Sequence, residues 1–340
     1  MDQSNNEKGK MNWYKLSYNE KQEVLSAVAA KVGLPAFVVE KDWWVVQTLR
    51  LIMQMDIADQ IVFKGGTSLS KAWGLINRFS EDIDLAINRE FFGYSGDISR
   101  TQVGKLKDAS NKYLCNDFLN GLRKMFGEAG FEDVKLDVVD IKDPDDDPVK
   151  IAVVFPVITQ YSSYIQPRVL LEIGSRSLME PSTACKFRSM IGDSFSERSF
   201  ADENIEIYCV NPERTFLEKL FLLHEEHQRP KEKMSIQGKS RHLYDIYKIS
   251  QTPFAEKAIK DKELYRSIVA HRERFTKLGG VDYMSHYPPC LNPIPSDDLL
   301  LLWQNDFKNL TNNMIMDNDV SFEDVMNVIK QISNSINYGN

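Results

Sequence analysis

Cysteine and long apolar runs are both scarce in this sequence of 340 residues. Its four cysteines stand alone, at 115, 185, 209 and 290, which excludes a disulfide framework and a zinc-binding spacing. No window approaches the roughly eighteen apolar residues that span a bilayer. The amino terminus is polar and mixed in charge, unlike a secretion signal. We therefore expect a cytoplasmic protein with reduced thiols and no membrane partner.

Glycine and proline are also infrequent, with 17 and 13 residues, while 42% of the residues are hydrophobic and 27% are charged. This composition excludes fibrous and disordered chains, and the length favours two packed units. The formal net charge is −7, but the charge is unevenly spread. The segment 229–277 holds thirteen Lys or Arg and six Asp or Glu. It is either a basic face for nucleic acid or a pair of solvated helices whose lysines keep the protein soluble.

Local signals in the amino-terminal part predict two helices. Ser17 and Glu20 form a capping box, so the first helix should run from Tyr18 to Val32. Residues 36–55 are apolar and free of helix breakers, which fits a buried helix with a polar interruption at residues 40–42.

The central part reads as strands separated by few helices. A strand at 61–63 precedes the turn Gly65-Gly66 and a helix over 67–75, and residues 79–87 alternate as a strand does. Further elements are a helix over 107–126 and strands over 134–141, 151–158 and 169–173. About five strands without strict alternation with helices predict an α+β fold, with a mixed sheet carrying helices on one face.

The pattern becomes helical towards the carboxyl terminus. Asn211 with Pro212 is a helix start, and residues 321–324 form another capping signal. We predict three regions: amino-terminal helices over 1–60, an α/β core over 61–205, and a helical domain over 206–340.

Three carboxylates are the candidate metal ligands. Asp82 and Asp84 are two residues apart on one strand, so their side chains share a face at a separation of roughly 7 Å. Glu172 interrupts an apolar strand, where an unpaired charge would cost several kcal/mol. Three acids on one sheet face suit two Mg²⁺ ions, which prefer carboxylates and bridge substrate phosphates.

The glycine turn before this strand is the candidate phosphate site. Gly65, Gly66, Thr67 and Ser68 open a helix whose backbone N–H groups can face the oxygens of a triphosphate. Together with the three acids, this turn indicates phosphoryl transfer. Two other patterns are set aside: His224-Glu-Glu-His227 lacks metalloprotease spacing and is predicted to end a solvated helix, and the acidic stretch 137–147 is predicted to be a charged surface turn.

Longer motifs carry a family resemblance. They are Phe63-Lys-Gly-Gly-Thr-Ser-Leu-Ser-Lys71, Arg78-Phe-Ser-Glu-Asp-Ile-Asp-Leu85, Glu40-Lys-Asp-Trp-Trp44, Leu171-Glu-Ile-Gly174, Glu218-Lys219 and Arg241-His-Leu-Tyr-Asp-Ile-Tyr247. This set resembles the AbiEii/AbiGii toxins of the nucleotidyltransferase superfamily over residues 35–250. The resemblance implies a polymerase-β-like core and a toxin, paired with a cognate antitoxin, that transfers nucleotides from an NTP with Mg²⁺ or Mn²⁺, in some members to tRNA.

The family pattern adds Lys219 and Asp245 to the site, and we expect the glycine turn with Ser68 and Lys71 to hold the triphosphate. Lys219 falls at the edge of the apolar face of its helix, and Asp245 is the one charged residue in its segment 243–247. A pair between them is therefore expected. A purely structural ion pair between two helices is the alternative.

The leading hypothesis is metal-dependent transfer of NMP from an NTP to RNA, with tRNA as the implied acceptor. Asp82, Asp84 and Glu172 would hold the metal, Glu172 would activate the acceptor hydroxyl, and Lys219 would neutralise charge on the phosphates. Two alternatives stay open: transfer to a small-molecule or protein hydroxyl, and a catalytically silent nucleotide-binding protein.

Overall fold

The computed structural model describes residues 13–80, 82–139, 148–161, 166–176, 179–276, 278–315 and 320–339. The chain divides into two compact units. The first extends to Ala72 and resumes from Asp82 to Cys209, whereas the second contains the segment Trp73–Ser80 and the chain from Val210 onward. The predicted core over residues 61–205 includes that short segment.

The first unit combines the sheet with six helices in its described residues. The helices are α1 Tyr18–Val32, α2 Ala36–Ile52, α3 Gly65–Lys71, α4 Arg100–Tyr113, α5 Leu119–Glu128 and α6 Met190–Ser194. The strands are β1 Ile61–Lys64, β2 Asp82–Ile87, β3 Lys135–Val139, β4 Val149–Val154, β5 Arg168–Gly174, β6 Ser182–Phe187 and β7 Ile205–Val210.

The seven strands form one mixed sheet in the order β3-β4-β5-β2-β1-β7-β6. Strand β1 is antiparallel to β2 and parallel to β7, and β2 is parallel to β5. Strand β4 is antiparallel to both β3 and β5. The α+β class and the mixed sheet predicted from the sequence are confirmed.

One face of the sheet is the core of the first unit. Phe63, Leu85 and Ile173 are register neighbours across β1, β2 and β5, and all three are at most 1% exposed. The alternate residues in the first part of these strands are only half-buried: Asp82 and Asp84 on β2, and Arg168, Leu170 and Glu172 on β5. Because successive strand residues point to opposite faces, the half-buried residues share the other face of the sheet.

Helix α2 is buried along nearly its whole length, including its charged residues. Glu40 accepts hydrogen bonds from the backbone N–H groups of Ile158 and Thr159 at 2.8 and 3.0 Å. Lys41 donates to the backbone carbonyl of residue 166 at 3.0 Å. The predicted polar interruption is therefore a set of buried charges with partners from distant parts of the chain. No single helix in the described ranges is long and apolar enough to cross a membrane; α1 and α2 pass that test only as a pair bent by 103°.

Several elements differ from the predictions; for example, α2 ends at Ile52, α3 covers Gly65–Lys71 and β4 covers Val149–Val154. The helix predicted over 107–126 begins earlier, at Arg100, because Ser99 and Gln102 form a capping box. It also passes through a π-helical turn at Leu114–Phe118 before α5. Strands β6 and β7 were not predicted, so the predicted number of strands was too low. Residues 137–139 of the acidic stretch belong to β3 and not to the predicted surface turn, and residues 140–147 lie outside the described residues.

The second unit is helical in its described residues. Its helices are α7 Pro212–Gln228, α8 Ser240–Ser250, α9 Pro253–Lys260, α10 Lys262–Phe275, α11 Leu300–Asn313 and α12 Phe322–Tyr338. Helix α12 is capped by the Ser321 hydroxyl, which accepts from the Asp324 N–H at 3.1 Å. Helix α7 packs against α8, α9 and α10, and α8 packs against α11 and α12. These contacts make α7 and α8 the central pair of the unit.

Candidate active site

Three carboxylates project from one face of the sheet in the first unit. Asp84 on β2 is the register neighbour of Glu172 on β5, and Asp82 precedes Asp84 by two residues on the same strand. Neighbouring strands lie about 4.8 Å apart, and residues two apart on a strand share a face. All three residues are half-buried. The strand register therefore gathers three acids within reach of solvent.

Gly65 lies directly against one of these carboxylates. Its φ of +79° is in the left-handed region that favours glycine. A Cβ atom at this position would lie 1.9 Å from Oδ2 and 2.6 Å from Cγ of Asp84. The carboxylate thus occupies the space that any other residue at position 65 would need. The glycine turn and the acid are one packed arrangement.

The hydroxyl groups of the two residues after the glycine turn donate hydrogen bonds to backbone carbonyls of the first unit. Ser68 is fully buried, and its hydroxyl donates to the carbonyl of Gly65 at 3.0 Å. The hydroxyl of Thr67 donates to the backbone carbonyl of Asp82. Gly66 is also buried. These bonds attach the start of α3 to β2 beside the carboxylates, and the predicted contact of these residues with a nucleotide stays a prediction.

Lys71, predicted to hold the triphosphate, forms a buried ion pair. Its ammonium lies 2.7 Å from Oδ1 of Asp42, and the two side chains are 12% and 5% exposed. Asp42 also accepts from the Met190 N–H at 2.7 Å. Burial raises the pKa of the Asp42 carboxyl, and Lys71 opposes that rise. Lys71 therefore has a structural partner that the sequence pattern did not indicate.

Lys150 is a further member of the carboxylate face that the sequence analysis missed. It is the register neighbour of Glu172 on β4, and its ammonium lies 3.3 Å from Oε1 of Glu172. Lys64 on β1 is likewise the register neighbour of Asp84. Four adjacent strands thus carry the row Lys150, Glu172, Asp84 and Lys64. A lone lysine in the apolar strand Val149–Val154 was the signal that could have revealed it.

The donor set of this face suits a divalent cation, since carboxylate oxygens are the ligands that Mg²⁺ and Mn²⁺ prefer. In the ranges that the structure describes, no group of three or more His, Cys, Asp or Glu side chains is arranged to hold a metal ion. Glu172 is bound to Lys150. A cation held by all three acids would therefore meet the ammonium of Lys150 at Glu172.

The second unit contains the other two predicted residues, Lys219 and Asp245, in one buried cluster. Lys219 on α7 lies 2.9 Å from Oδ2 of Asp245 on α8, as the sequence analysis expected. Arg78 binds both carboxylate oxygens, at 2.6 and 2.8 Å. Burial alone would raise the pKa of Asp245, but the charges of Arg78 and Lys219 outweigh it and hold that pKa well below its usual range. The cluster therefore contains an ionised carboxylate between two cations.

His242 is the next contact of Lys219. The ammonium donates to Nδ1 of His242 at 3.4 Å, so this ring nitrogen acts as an acceptor. Burial and the charge of Lys219 lower the pKa of His242 well below its ordinary value. The imidazole is therefore neutral, while burial lowers the pKa of Lys219 and the charge of Asp245 opposes that fall.

The basic segment 229–277 is partly neutralised by carboxylates from outside it. At least five of its cations lie in ion pairs: Arg229 and Lys239 with Glu226, Lys231 with Asp298, Lys260 with Glu256, and Arg272 with Glu225. Glu225, Glu226 and Asp298 are not part of the segment. Its sequence composition thus overstates the positive charge that a nucleic acid would meet.

Residues 224–227 lie in the last turns of α7, but the prediction that this helix end is solvated was wrong. His224, Glu225 and Glu226 are at most 3% exposed. Glu225 accepts two hydrogen bonds from Arg272, at 2.5 and 2.6 Å, and lies 3.1 Å from Nε2 of His286. The partners come from 47 and 61 residues downstream, which no local pattern shows.

The family model described as "Nucleotidyl transferase AbiEii toxin, Type IV TA system" matches residues 49–328, most of the chain. The chain belongs to this family. The AbiEii match includes all three carboxylates, the glycine turn, Lys219 and Asp245. The protein is accordingly a nucleotidyltransferase toxin of a toxin–antitoxin system.

Among solved structures, this AbiEii protein is similar to MenT4, a nucleotidyltransferase toxin from Mycobacterium tuberculosis. The sequence identity is 15% and the TM-score is 0.48, with 92% of this chain and 99% of that chain covered. No curated protein is similar enough in sequence to count as a match.

Proposed function

We propose that this AbiEii toxin transfers NMP from an NTP to a hydroxyl of RNA, with tRNA as the favoured acceptor, in a reaction that depends on Mg²⁺ or Mn²⁺. The observation that carries the proposal is the register of β2 and β5. It aligns Asp84 with Glu172 on the face that also bears Asp82, in a chain of a nucleotidyltransferase family. The protein would act in the cytoplasm, where its proposed acceptor is found, and a cognate antitoxin would oppose it.

The carboxylate face would supply the acid–base chemistry. Asp82, Asp84 and Glu172 would hold the divalent cation, which when bound stabilises negative charge on the phosphates. The acceptor hydroxyl forms a bond to the α-phosphorus while the bond to pyrophosphate breaks. Glu172 would take the proton of that hydroxyl, because a carboxylate within hydrogen-bond reach is a competent general base.

The glycine turn and Lys219 would act on the nucleotide. Gly65 and Gly66 carry no side chain of their own, so their backbone N–H groups are the proposed contacts of the phosphates. Ser68 and Lys71 are proposed to lie near the triphosphate in a supporting role, since both already have partners in the protein. Lys219 would neutralise charge that develops on the phosphates, and Asp245 would keep it protonated and oriented.

Replacement of Asp84 by Asn tests the chemistry. Removal of one electrostatic contributor typically costs about 10²- to 10³-fold in rate. We expect Asp84→Asn to lower incorporation of an α-labelled NTP by at least roughly 100-fold. The matched control is Asp137→Asn on β3, whose side chain is 68% exposed in the same sheet. Full incorporation by Asp84→Asn, with unfolding like that of the wild type, would eliminate the mechanism.

The acceptor requires a separate experiment. Lysines and arginines of the segment 229–277 that face solvent would contact an RNA backbone, and such binding weakens steeply with salt. We expect label from the NTP to appear in RNA, and RNA binding to fall as salt rises. Label in protein or in small molecules would favour the alternative acceptors. Binding of NTP without turnover, at high enzyme and Mg²⁺, would favour a silent nucleotide-binding protein.

A further inference from the structure

Lys150 contacts the proposed general base directly. Its ammonium lies 3.3 Å from Oε1 of Glu172, and the two side chains are 35% and 25% exposed. Within the described residues, this is the one ion pair of Glu172. Both residues are in the interiors of adjacent antiparallel strands, so the contact is fixed by the backbone register as well as by the side chains.

The position of Lys150 in the row of charges matters for a cation. Glu172 lies between Lys150 on β4 and Asp84 on β2. A carboxylate between an ammonium on one side and a second carboxylate on the other is attracted to the ammonium and repelled by its neighbour. Glu172 therefore favours Lys150 until a cation between the two acids offers a stronger attraction.

Building on the function proposed above, we propose that Lys150 is a positioning residue that competes with the divalent cation for Glu172 and so sets the affinity of the site. A bound cation of charge +2 near Glu172 would lie within about 6 Å of the ammonium, and their repulsion in water amounts to roughly a three- to tenfold weakening of cation binding. Lys150 thereby keeps Glu172 oriented while no cation is bound.

The sheet offers a matched control for this residue. Lys186 on β6 lies 3.0 Å from Glu206 on β7, which is a second cross-strand Lys–Glu pair in the same sheet. The two side chains of this pair are 67% and 58% exposed. The pair lies on the last two strands of the sheet, away from β2 and β5, which carry the three acids. Loss of a cross-strand ion pair is common to Lys150→Met and Lys186→Met, but only the first removes a charge next to the three acids.

The test is a titration of the full-length protein with Mn²⁺, followed by the electron paramagnetic resonance signal of the free ion. We expect Lys150→Met to bind Mn²⁺ roughly three- to tenfold more tightly than the wild type. Lys186→Met should bind as the wild type does, and Lys150→Arg, which keeps the charge, should remain close to it. These shifts are independent of turnover, so a merely structural role of Lys150 would not produce them.

Three results would overturn the inference. Unchanged or weaker Mn²⁺ binding by Lys150→Met, with an unfolding midpoint like that of the wild type, removes the competition. An equal tightening in Lys186→Met shows an effect of net charge alone. If the wild type does not bind Mn²⁺, or if Asp84→Asn binds it equally well, both the proposed cation site and the role of Lys150 are refuted. In the first two cases the proposed function stands.

Discussion

Substitution of Gly65 by alanine is the most discriminating perturbation of the site. The new Cβ atom would lie 1.9 Å from Oδ2, 2.6 Å from Cγ and 3.0 Å from Cβ of Asp84. Ordinary contacts between such atoms begin near 3.4 Å. The carboxylate of Asp84 must therefore rotate away by more than 1 Å, since the fixed strand β2 prevents the whole residue from retreating that far.

The expected cost to stability has two parts. An alanine at the φ of +79° loses roughly 1–2 kcal/mol because its Cβ crowds the backbone. Rotation of Asp84 removes the two closest contacts and leaves the distance between the Cβ atoms, which needs a shift of a few tenths of an ångström. We expect a further loss of about 1 kcal/mol for that shift.

The expected cost to activity is much larger. A misplacement of about 1 Å in a catalytic group can lower the rate by roughly 10²-fold. Gly65→Ala should therefore reduce incorporation of an α-labelled NTP by about two orders of magnitude. Its free energy of unfolding in urea should fall by only about 2–3 kcal/mol.

Gly93 is the matched control for the backbone penalty. Its φ is +80°, but a Cβ atom there would have nothing within 4 Å. Gly93→Ala should lose the same 1–2 kcal/mol and keep full activity. In an Asp84→Gly background, which lacks the Cβ, Cγ and Oδ2 atoms that would clash, the stability cost of Gly65→Ala should approach that of Gly93→Ala. Wild-type activity in Gly65→Ala, or no difference in its cost between the two backgrounds, would refute the proposed packing of Asp84 on Gly65.

Two further predictions concern buried charges. Lys71→Met leaves Asp42 buried without its cation, so the free energy of unfolding in urea should fall by about 3–5 kcal/mol. Adding Asp42→Asn should restore most of that loss. Nucleotide binding that stays weak in the stable double variant would reveal a direct role of Lys71. Burial lowers the pKa of His224 from 6.5 to about 4, and its Nδ1 accepts from the Asn292 N–H at 3.0 Å. The unfolded chain then binds the extra proton, so the free energy of unfolding should fall by about 3 kcal/mol as pH drops from 6.5 to 4. A pH dependence that is identical in His224→Gln would contradict this.

Elements with strong local signals were predicted well. The capping box of Ser17 and Glu20 is formed, and α1 has the predicted bounds Tyr18–Val32. The capping box joins two residues that are three apart in the chain, so no distant contact is needed to predict where the helix begins. The alternation of charged and apolar residues in β2 likewise showed which side chains share a face.

Elements whose signal is weak or whose stability comes from distant partners were missed. Strand β6 has the sequence Ser-Thr-Ala-Cys-Lys-Phe, which is too polar to stand out, and it forms because β7 lies beside it. The start of α4 is an exception, because Ser99 and Gln102 form a local capping box. The burial of Glu40 depends on backbone N–H groups more than a hundred residues away.

The same division between local and distant information runs through the candidate site. Strand periodicity places Asp82 with Asp84 and separates Glu172 from its apolar neighbours, so the three acids could be named from the sequence. Their meeting depends on strand order, because β2 pairs with β5 across the intervening β3 and β4 of the sequence. The same order delivers Lys150 to Glu172. Sequence patterns therefore identify the groups that can perform the chemistry, whereas the strand order decides which charges lie beside them. The Mn²⁺ titration of Lys150→Met measures the effect of one such charge.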